Sequence, residues 1–259
     1  MKEWALITGA STGIGKDLCF LFAKDKVNLI ICARNQEKLN SAAEELIKNF
    51  NIEVKTFPID LSIQENVSSL IQYLEQENIC ISYLVNNAGV GVHGQFSQNS
   101  WEKEHKMIEL NISSLTHLTK KIIPFMLKNK KGKILNVAST AAFQPGPGMA
   151  VYFATKAYVL SLSEALNEEL KDSGISITTL CPGPTETEFF KSANMAETKF
   201  GSAKNNFMMT SQDVARIGYN ALMRGDRVII AGFINKLSAF STRFLPRPWL
   251  AKIAQQLLN

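Results

Sequence analysis

Tyr152 and Lys156 stand four residues apart in the stretch YFATK. On a helix this spacing places a phenol and an ammonium one turn apart on one face. A free phenol titrates near pH 10, too high for it to act as a base near neutrality. A neighbouring cation favours the phenolate and draws that value down. Tyr152 would then become a workable proton donor or acceptor. Two unrelated residues on the side of a helix would show the same spacing, so the elements around the pair must decide between the readings.

Short apolar, β-branched runs alternate with longer amphipathic ones. Strands are expected near 3–8, 28–33, 53–58, 82–86, 132–138, 175–180 and 227–231, with helices near 14–25, 35–50, 63–78, 100–129, 149–172 and 211–224. Apolar runs without alternation suit a parallel sheet covered on both faces. Strand followed by helix, repeated, predicts a doubly wound α/β fold of Rossmann type, with no linker dividing residues 1–259. Residues 186–210 carry no clean period. They follow the end of a strand, where open α/β sheets bind ligands, so they would form either a lid over a ligand or a plain connector.

The first expected strand runs into TGASTGIGK, where Gly9, Gly13 and Gly15 sit at a sharp strand-to-helix turn. Glycine tolerates positive φ and lets backbone N–H groups approach a pyrophosphate, whose charge a helix N-terminus favours. The spacing is G-x-x-x-G-x-G rather than G-x-G-x-x-G, yet its place at the start of a βαβ unit predicts a dinucleotide site. An acid at the end of the second strand would hold a ribose 2′-hydroxyl. This chain has Ala33 there, followed by Arg34, whose guanidinium can grip a 2′-phosphate in bidentate fashion. The expected cofactor is NADP(H) in preference to NAD(H). Arg34 could instead cap the next helix or make a surface ion pair.

Composition narrows the class. An apolar fraction of 46% and a charged fraction of 20% are ordinary for a globular chain, which argues against disorder. The net charge is +5, and no acid follows Asp226, so Arg227, Lys236, Arg243, Arg247 and Lys252 account for all of it. A neutral body with a basic tail, lacking zinc-finger, zipper or RNA-binding patterns, predicts no nucleic-acid partner. Cys19, Cys32, Cys80 and Cys181, like His93, His105 and His117, have no metal-ligand spacing, so no metal is expected. Cys32 and Cys181 lie in strand-like runs and read as buried thiols. Neither a signal peptide nor an apolar run of about 18 residues is present, and the expected location is cytoplasmic.

The glycine loop (8–15), NNAG (86–89), NVAS ending at Ser139, and Tyr152-x-x-x-Lys156 together resemble the classical short-chain dehydrogenase/reductase family over roughly residues 4–231, in family order. Asn111 in ELNIS matches a family asparagine on the fourth helix, and PGPTET (182–187) matches a turn after the sixth strand. The resemblance implies a hydride-transfer oxidoreductase using NADP. Tyr152 would be its acid/base, Lys156 would lower the phenol's pKa and hold the nicotinamide ribose, Ser139 would position the substrate oxygen, and Asn111 would serve a proton relay. It implies cofactor contacts from Gly9, Ser11, Thr12, Gly13, Ile14, Gly15, Asp60, Leu61, Asn87, Ala88, Gly89, Pro182, Gly183 and Thr187. On their own, Asp60 reads equally as a helix N-cap and Thr187 as a turn residue. With no G-x-S-x-G elbow, a hydrolase is not expected.

TAAFQPGPGMAV, between Ser139 and Tyr152, carries Ala141, Phe143 and Met149 and no charge, so it would wall a pocket for a lipophilic carbonyl or alcohol. VGVHGQF (90–96) would form a second wall. Residues 233–259 resemble the C-terminal extension of a bacterial subgroup of general short-chain dehydrogenases. This basic amphipathic stretch would pack on a neighbouring subunit, cover the cleft or lie on a membrane surface. The family implies a homodimer or homotetramer. The alternative to an enzyme is a non-catalytic NADP-binding module that docks a partner or membrane through this tail.

Overall fold

The first two β-branched runs are buried almost end to end, because each forms a strand with helices on both of its faces. The computed structural model describes residues 2–193, 195 and 208–258. Strands β1 (Trp4–Thr8), β2 (Asn28–Ala33), β3 (Val54–Pro58), β4 (Ile81–Asn86), β5 (Gly132–Val137) and β6 (Ile175–Cys181) alternate with helices α1 (Gly13–Lys24), α2 (Gln36–Phe50), α3 (Gln64–Gln76), α4 (Trp101–Ile108), α5 (Leu115–Asn129) and α6 (Ala150–Glu169). Then follow β7 (Thr185–Glu186), α7 (Phe189–Ser192), β8 (Met209–Thr210), α8 (Ser211–Arg224), β9 (Val228–Ile230), α9 (Phe233–Ser241) and α10 (Arg247–Leu258).

Seven strands form one parallel sheet in the order β3-β2-β1-β4-β5-β6-β9, which is the expected doubly wound, Rossmann-type fold. Side chains of β1 alternate between two cores. Ala5 and Ile7 pack with Phe22 of α1, Leu46 of α2 and Tyr219 of α8. Trp4 and Leu6 pack with Leu70 of α3 and Ile122 of α5. Strand order reverses between β1 and β4, and the loops leaving these two strands diverge around a crevice at their carboxyl ends.

The long fourth helix departs from the expected single run. Between α4 and α5 the turn Glu109–Ser114 is π-helical and carries Asn111. Such wide turns recur where a helix must present a residue off its regular face. The stretch expected to lack strands contains two short ones. β7 and β8 pair in parallel, Thr185 with Met209 and Glu186 with Thr210, so the segment leaves and returns at one place. Most of the lid expected over 186–210, residues 194 and 196–207, lies outside the described residues.

A buried polar chain fixes α6 to the sheet. Asn86 Nδ2 donates to Asn136 Oδ1 at 2.8 Å, and Asn136 Nδ2 donates to Ser163 Oγ at 2.9 Å. Further along α6, the Asn167 side chain bonds both backbone groups of Ile177. Lys156, Ser163 and Asn167 therefore share the buried stripe of this helix. Pinning that stripe sets the depth at which Lys156 and the adjacent Tyr152 sit.

Candidate active site

Along the carboxyl ends of the strands runs a cleft of about 830 Å³. At one end, β1 passes into the glycine loop. Gly9 (φ +65°) and Gly13 (φ +54°) occupy the left-handed region, and a Cβ on Gly9 would approach Ala88 Cα to 2.9 Å. Thr8 Oγ1 accepts from the N–H groups of Asn87 and Ala88, both at 3.0 Å. In return, Asn87 Nδ2 donates to Thr8 O and Gly9 O. The loops after β1 and β4 are thus fixed to each other.

Ser11, Thr12, Gly13 and Ile14 line the cleft with the start of α1. Thr12 makes no side-chain cap bond, and the first turn has no acid. These N–H groups face the cleft without a side-chain acceptor, the arrangement that suits an anion. Gly15 does not line the cleft. It packs α1 on the loop, where a Cβ would collide with Gly9 O and Asn87 Nδ2.

At the end of β2, Arg34 is exposed at the cleft edge. The cap of α2 is Asn35, whose Oδ1 accepts from Lys38 N at 2.8 Å. Among the described residues Arg34 makes no ion pair, whereas Lys38 pairs with Glu188 at 2.6 Å. The cap and surface-pair alternatives for Arg34 are therefore not realised in this geometry. The far wall carries Asp60 and Leu61. Burial pushes the Asp60 carboxyl up, but hydrogen bonds from Lys106 and Ser62 outweigh it and hold the group below its ordinary value. Its carboxylate is thus committed to a turn and an ion pair at 2.7 Å.

At the opposite end Ser139, Tyr152 and Lys156 line the same cleft. Ser139 follows β5 and caps a 3-10 turn (Thr140–Phe143), accepting from Ala141 N at 3.1 Å. Its own hydroxyl donates to Pro182 O at 3.4 Å. Lys156 Nζ is buried, donates to Val137 O at 2.9 Å, and lies 5.7 Å from the Tyr152 ring centroid, over the ring. Here the sequence-based expectation is corrected. Burial pushes the Tyr152 phenol up to about 12, against the smaller opposing pull of Ser139. Burial also pushes Lys156 down to about 8, with Cys181 drawing it partly back. The i, i+4 spacing holds, but the ammonium meets the ring face rather than the hydroxyl, and desolvation dominates both groups.

Asn111 is buried beside this pair without lining the cleft. Its Oδ1 accepts from Val90 N and its Nδ2 donates to Val90 O, both at 3.0 Å, and Nδ2 also reaches Thr155 Oγ1 at 3.1 Å. It clamps the loop holding Asn87, Ala88 and Gly89 to α6. A Cβ on Gly89 would sit 3.3 Å from Asn111 Oδ1 and 3.4 Å from Lys156 Nζ, so the backbone there runs directly past both groups. Pro182, Gly183 and Thr187 complete this side. Thr187 Oγ1 accepts from Phe189 N at 3.3 Å, and a Cβ on Gly13 would meet its methyl group at 2.9 Å.

The walls near Tyr152 are apolar, but not all are those expected. Ala141 and Met149 line the cleft. Phe143 does not: it packs instead with Leu115, Ala138 and Val159. The tight 3-10 turn accounts for this, since Ala141 and Phe143 leave it in different directions. Of VGVHGQF, Val90 lines the cleft, while Phe96 is exposed. Phe153, Phe189, Phe190 and Met195 form the wall that sequence reasoning missed, with the Phe189 ring 5.3 Å from that of Tyr152. The only signal was the FF pair in a stretch without period. Asn235 and Ala239 from α9, Thr242 just after it and Ala254 from α10 line the mouth, so the tail covers the cleft.

Comparisons with known proteins agree with this architecture. Residues 3–198 match the family model described as short chain dehydrogenase. A 17-beta-hydroxysteroid dehydrogenase type 3 from Mus musculus is 33% identical over 254 residues, covering 95% of this chain and 81% of the relative. An NADP-dependent 3-hydroxy acid dehydrogenase from Schizosaccharomyces pombe is 33% identical over 230 residues, covering 87% of this chain and 89% of the relative. A short-chain dehydrogenase from Sphingobium yanoikuyae solved in complex with NADPH superposes with a TM-score of 0.82 at 30% identity, covering 93% of each chain. By sequence and by fold, the chain belongs to the short-chain dehydrogenase family and is an oxidoreductase.

Proposed function

We propose that the chain is an NADP(H)-dependent oxidoreductase that interconverts a lipophilic carbonyl compound and its alcohol, with residues 1–259 acting as a single unit. The observation that carries this reading is one continuous cleft. Ser139 and Tyr152 line it together among apolar side chains at one end, and Arg34, free of ion pairs among the described residues, stands at the other. The NADPH complex of the Sphingobium relative supports the cofactor assignment.

The residues present fit the group. Thr12 and Gly13 would hold the pyrophosphate, Arg34 the 2′-phosphate, Asp60 and Leu61 the adenine side, Lys156 the nicotinamide ribose, and Thr187 the amide. NADPH, when bound, supplies the hydride. Tyr152 Oη, protonated because its pKa is near 12, gives its proton to the substrate oxygen. Ser139 Oγ orients that oxygen beside it, and Asn111 keeps the loop after β4 and α6 in fixed relation. Phe153, Phe189 and Met149 shed water from the reacting end and select an apolar substrate.

A panel of lipophilic aldehydes and ketones assayed with NADPH tests this. Wild type should turn over members of the panel. Tyr152→Phe should lose about 10²–10⁴-fold in kcat while binding NADPH as before. A Tyr152→Phe enzyme as fast as wild type would remove Tyr152 from the proton transfer.

A further inference from the structure

The tail has two faces. On α9, Asn235 and Ala239 point to the cleft, and Thr242 follows at the same helical spacing. Phe233, Leu237 and Phe240 recur on the opposite side of the helix at intervals of four and three. On α10, Leu250 and Ala254 are buried while Trp249 and Ile253 are not. Residues 233–258 hold seven of the thirteen exposed large apolar side chains among the described residues, including Phe233 at 80%, Phe244 at 72% and Trp249 at 62%. Such a concentration on one face marks a contact surface rather than scattered exposure.

Charge decides what the surface meets. Lys236, Arg247 and Lys252 are all exposed on the same two helices, and Arg243 is exposed in the turn between them. Among the described residues none of the four is in an ion pair, and no carboxylate side chain follows Asp226 in the sequence. A second copy docking through the same face about a twofold axis would set these cations against themselves with no carboxylate to relieve them. The rest of the chain sums to zero charge. Aromatic rings flanked by unpaired cations match the boundary of an anionic bilayer, where rings enter the headgroup region and cations meet phosphates.

We propose that the outward face of α9 and α10 docks on an anionic lipid surface. This seats the cleft mouth, which the inward face of the same helices covers, against the bilayer. The full-length protein is mixed with vesicles of phosphatidylcholine alone and of phosphatidylcholine with phosphatidylglycerol, then sedimented at low and high salt. Binding to the anionic vesicles, weakened by salt and absent on phosphatidylcholine, is expected. At about fivefold per charge near the surface, the double variant Arg243→Gln/Arg247→Gln should partition about 30-fold more weakly, with its thermal unfolding unchanged. If that variant folds poorly, Lys236→Gln/Lys252→Gln serves in its place with the same expectation. No binding to anionic vesicles, equal binding to both compositions, or full binding by a folded charge variant overturns the proposal. So does a concentration-dependent dimer that Phe244→Ser/Trp249→Ser abolishes in a protein that ignores vesicles, because the face would then belong to a second copy.

Discussion

Replacing Lys156 by Met tests whether burial, rather than charge pairing, governs the reacting end. Lys156 has an ordinary value of 10.5 and is held at about 8 in the fold. Between these values the unfolded chain carries a proton that the folded chain has released, so stability rises with pH across that window. Below about pH 8 both states are protonated, and the fold carries the full penalty of a buried ammonium. A depression of some 2.5 pKa units corresponds to about 3 kcal/mol. Near pH 10 roughly 1 kcal/mol of that penalty remains. Lys156→Met has no such term. Its loss of the bond to Val137 O shifts its stability by an amount that does not vary with pH.

The measurement is denaturant unfolding of both proteins, without cofactor, near pH 7 and near pH 10. Taking the difference cancels the titration of every group the two share. Wild type should gain on the variant by about 2 kcal/mol between the two conditions. Tyr152, raised to about 12, and Cys181, also near 12, titrate above the window. A difference that stays flat, or one that moves towards the variant as pH rises, would show that Lys156 keeps its charge through compensation the burial argument omits.

Other consequences are equally direct. Arg34→Ala should weaken NADPH binding about 10–100-fold, the loss of charge-assisted hydrogen bonds to a phosphate, and leave NADH binding unchanged in a nicotinamide fluorescence titration. Equal losses for the two would remove the phosphate assignment. Gly15→Ala should cost about 1–3 kcal/mol through overpacking, because its Cβ would collide with Gly9 O and Asn87 Nδ2. Calorimetry should then show a lower Tm, and an unchanged Tm would mean that the loop yields more easily than its hydrogen bonds imply.

The fold was legible because its signals are local. Short, β-branched unalternating runs such as NLIICA suit a strand covered on both faces, and GxxxGxG after the first such run suits a sharp turn into a helix. The candidate site was legible where a short motif carries it. Ser139, Tyr152 and Lys156 converge on one cleft as their order implied. What was hidden is set by long-range packing. Phe189 and Phe190 become a wall because the chain after β6 returns across the cleft, which no period in the sequence records. Phe143 turns away because a tight turn reverses its direction. The clamp from Asn111 to Val90 depends on a π-helical turn that has no compositional mark.

The corrected pKa values alter the chemistry in one respect. A phenol depressed towards neutrality would serve either direction of a carbonyl–alcohol interconversion. A phenol near 12 is ionised in only about one molecule in 10⁵ at neutrality. To act as a base it must first be deprotonated, at a cost of about 7 kcal/mol near pH 7. As an acid it begins in the required state, with Ser139 lining the same cleft. Proton transfer from it to an oxygen acquiring alkoxide character runs downhill, since an alkoxide is the stronger base. The same burial that raises Tyr152 also lowers Lys156, so the phenol is neutral near pH 7 while Lys156 loses its charge only above about pH 8. If Tyr152 is the proton donor we propose, the site therefore starts in the state that reduction needs. That starting state comes from desolvation of this end of the cleft rather than from the cation four residues along the helix.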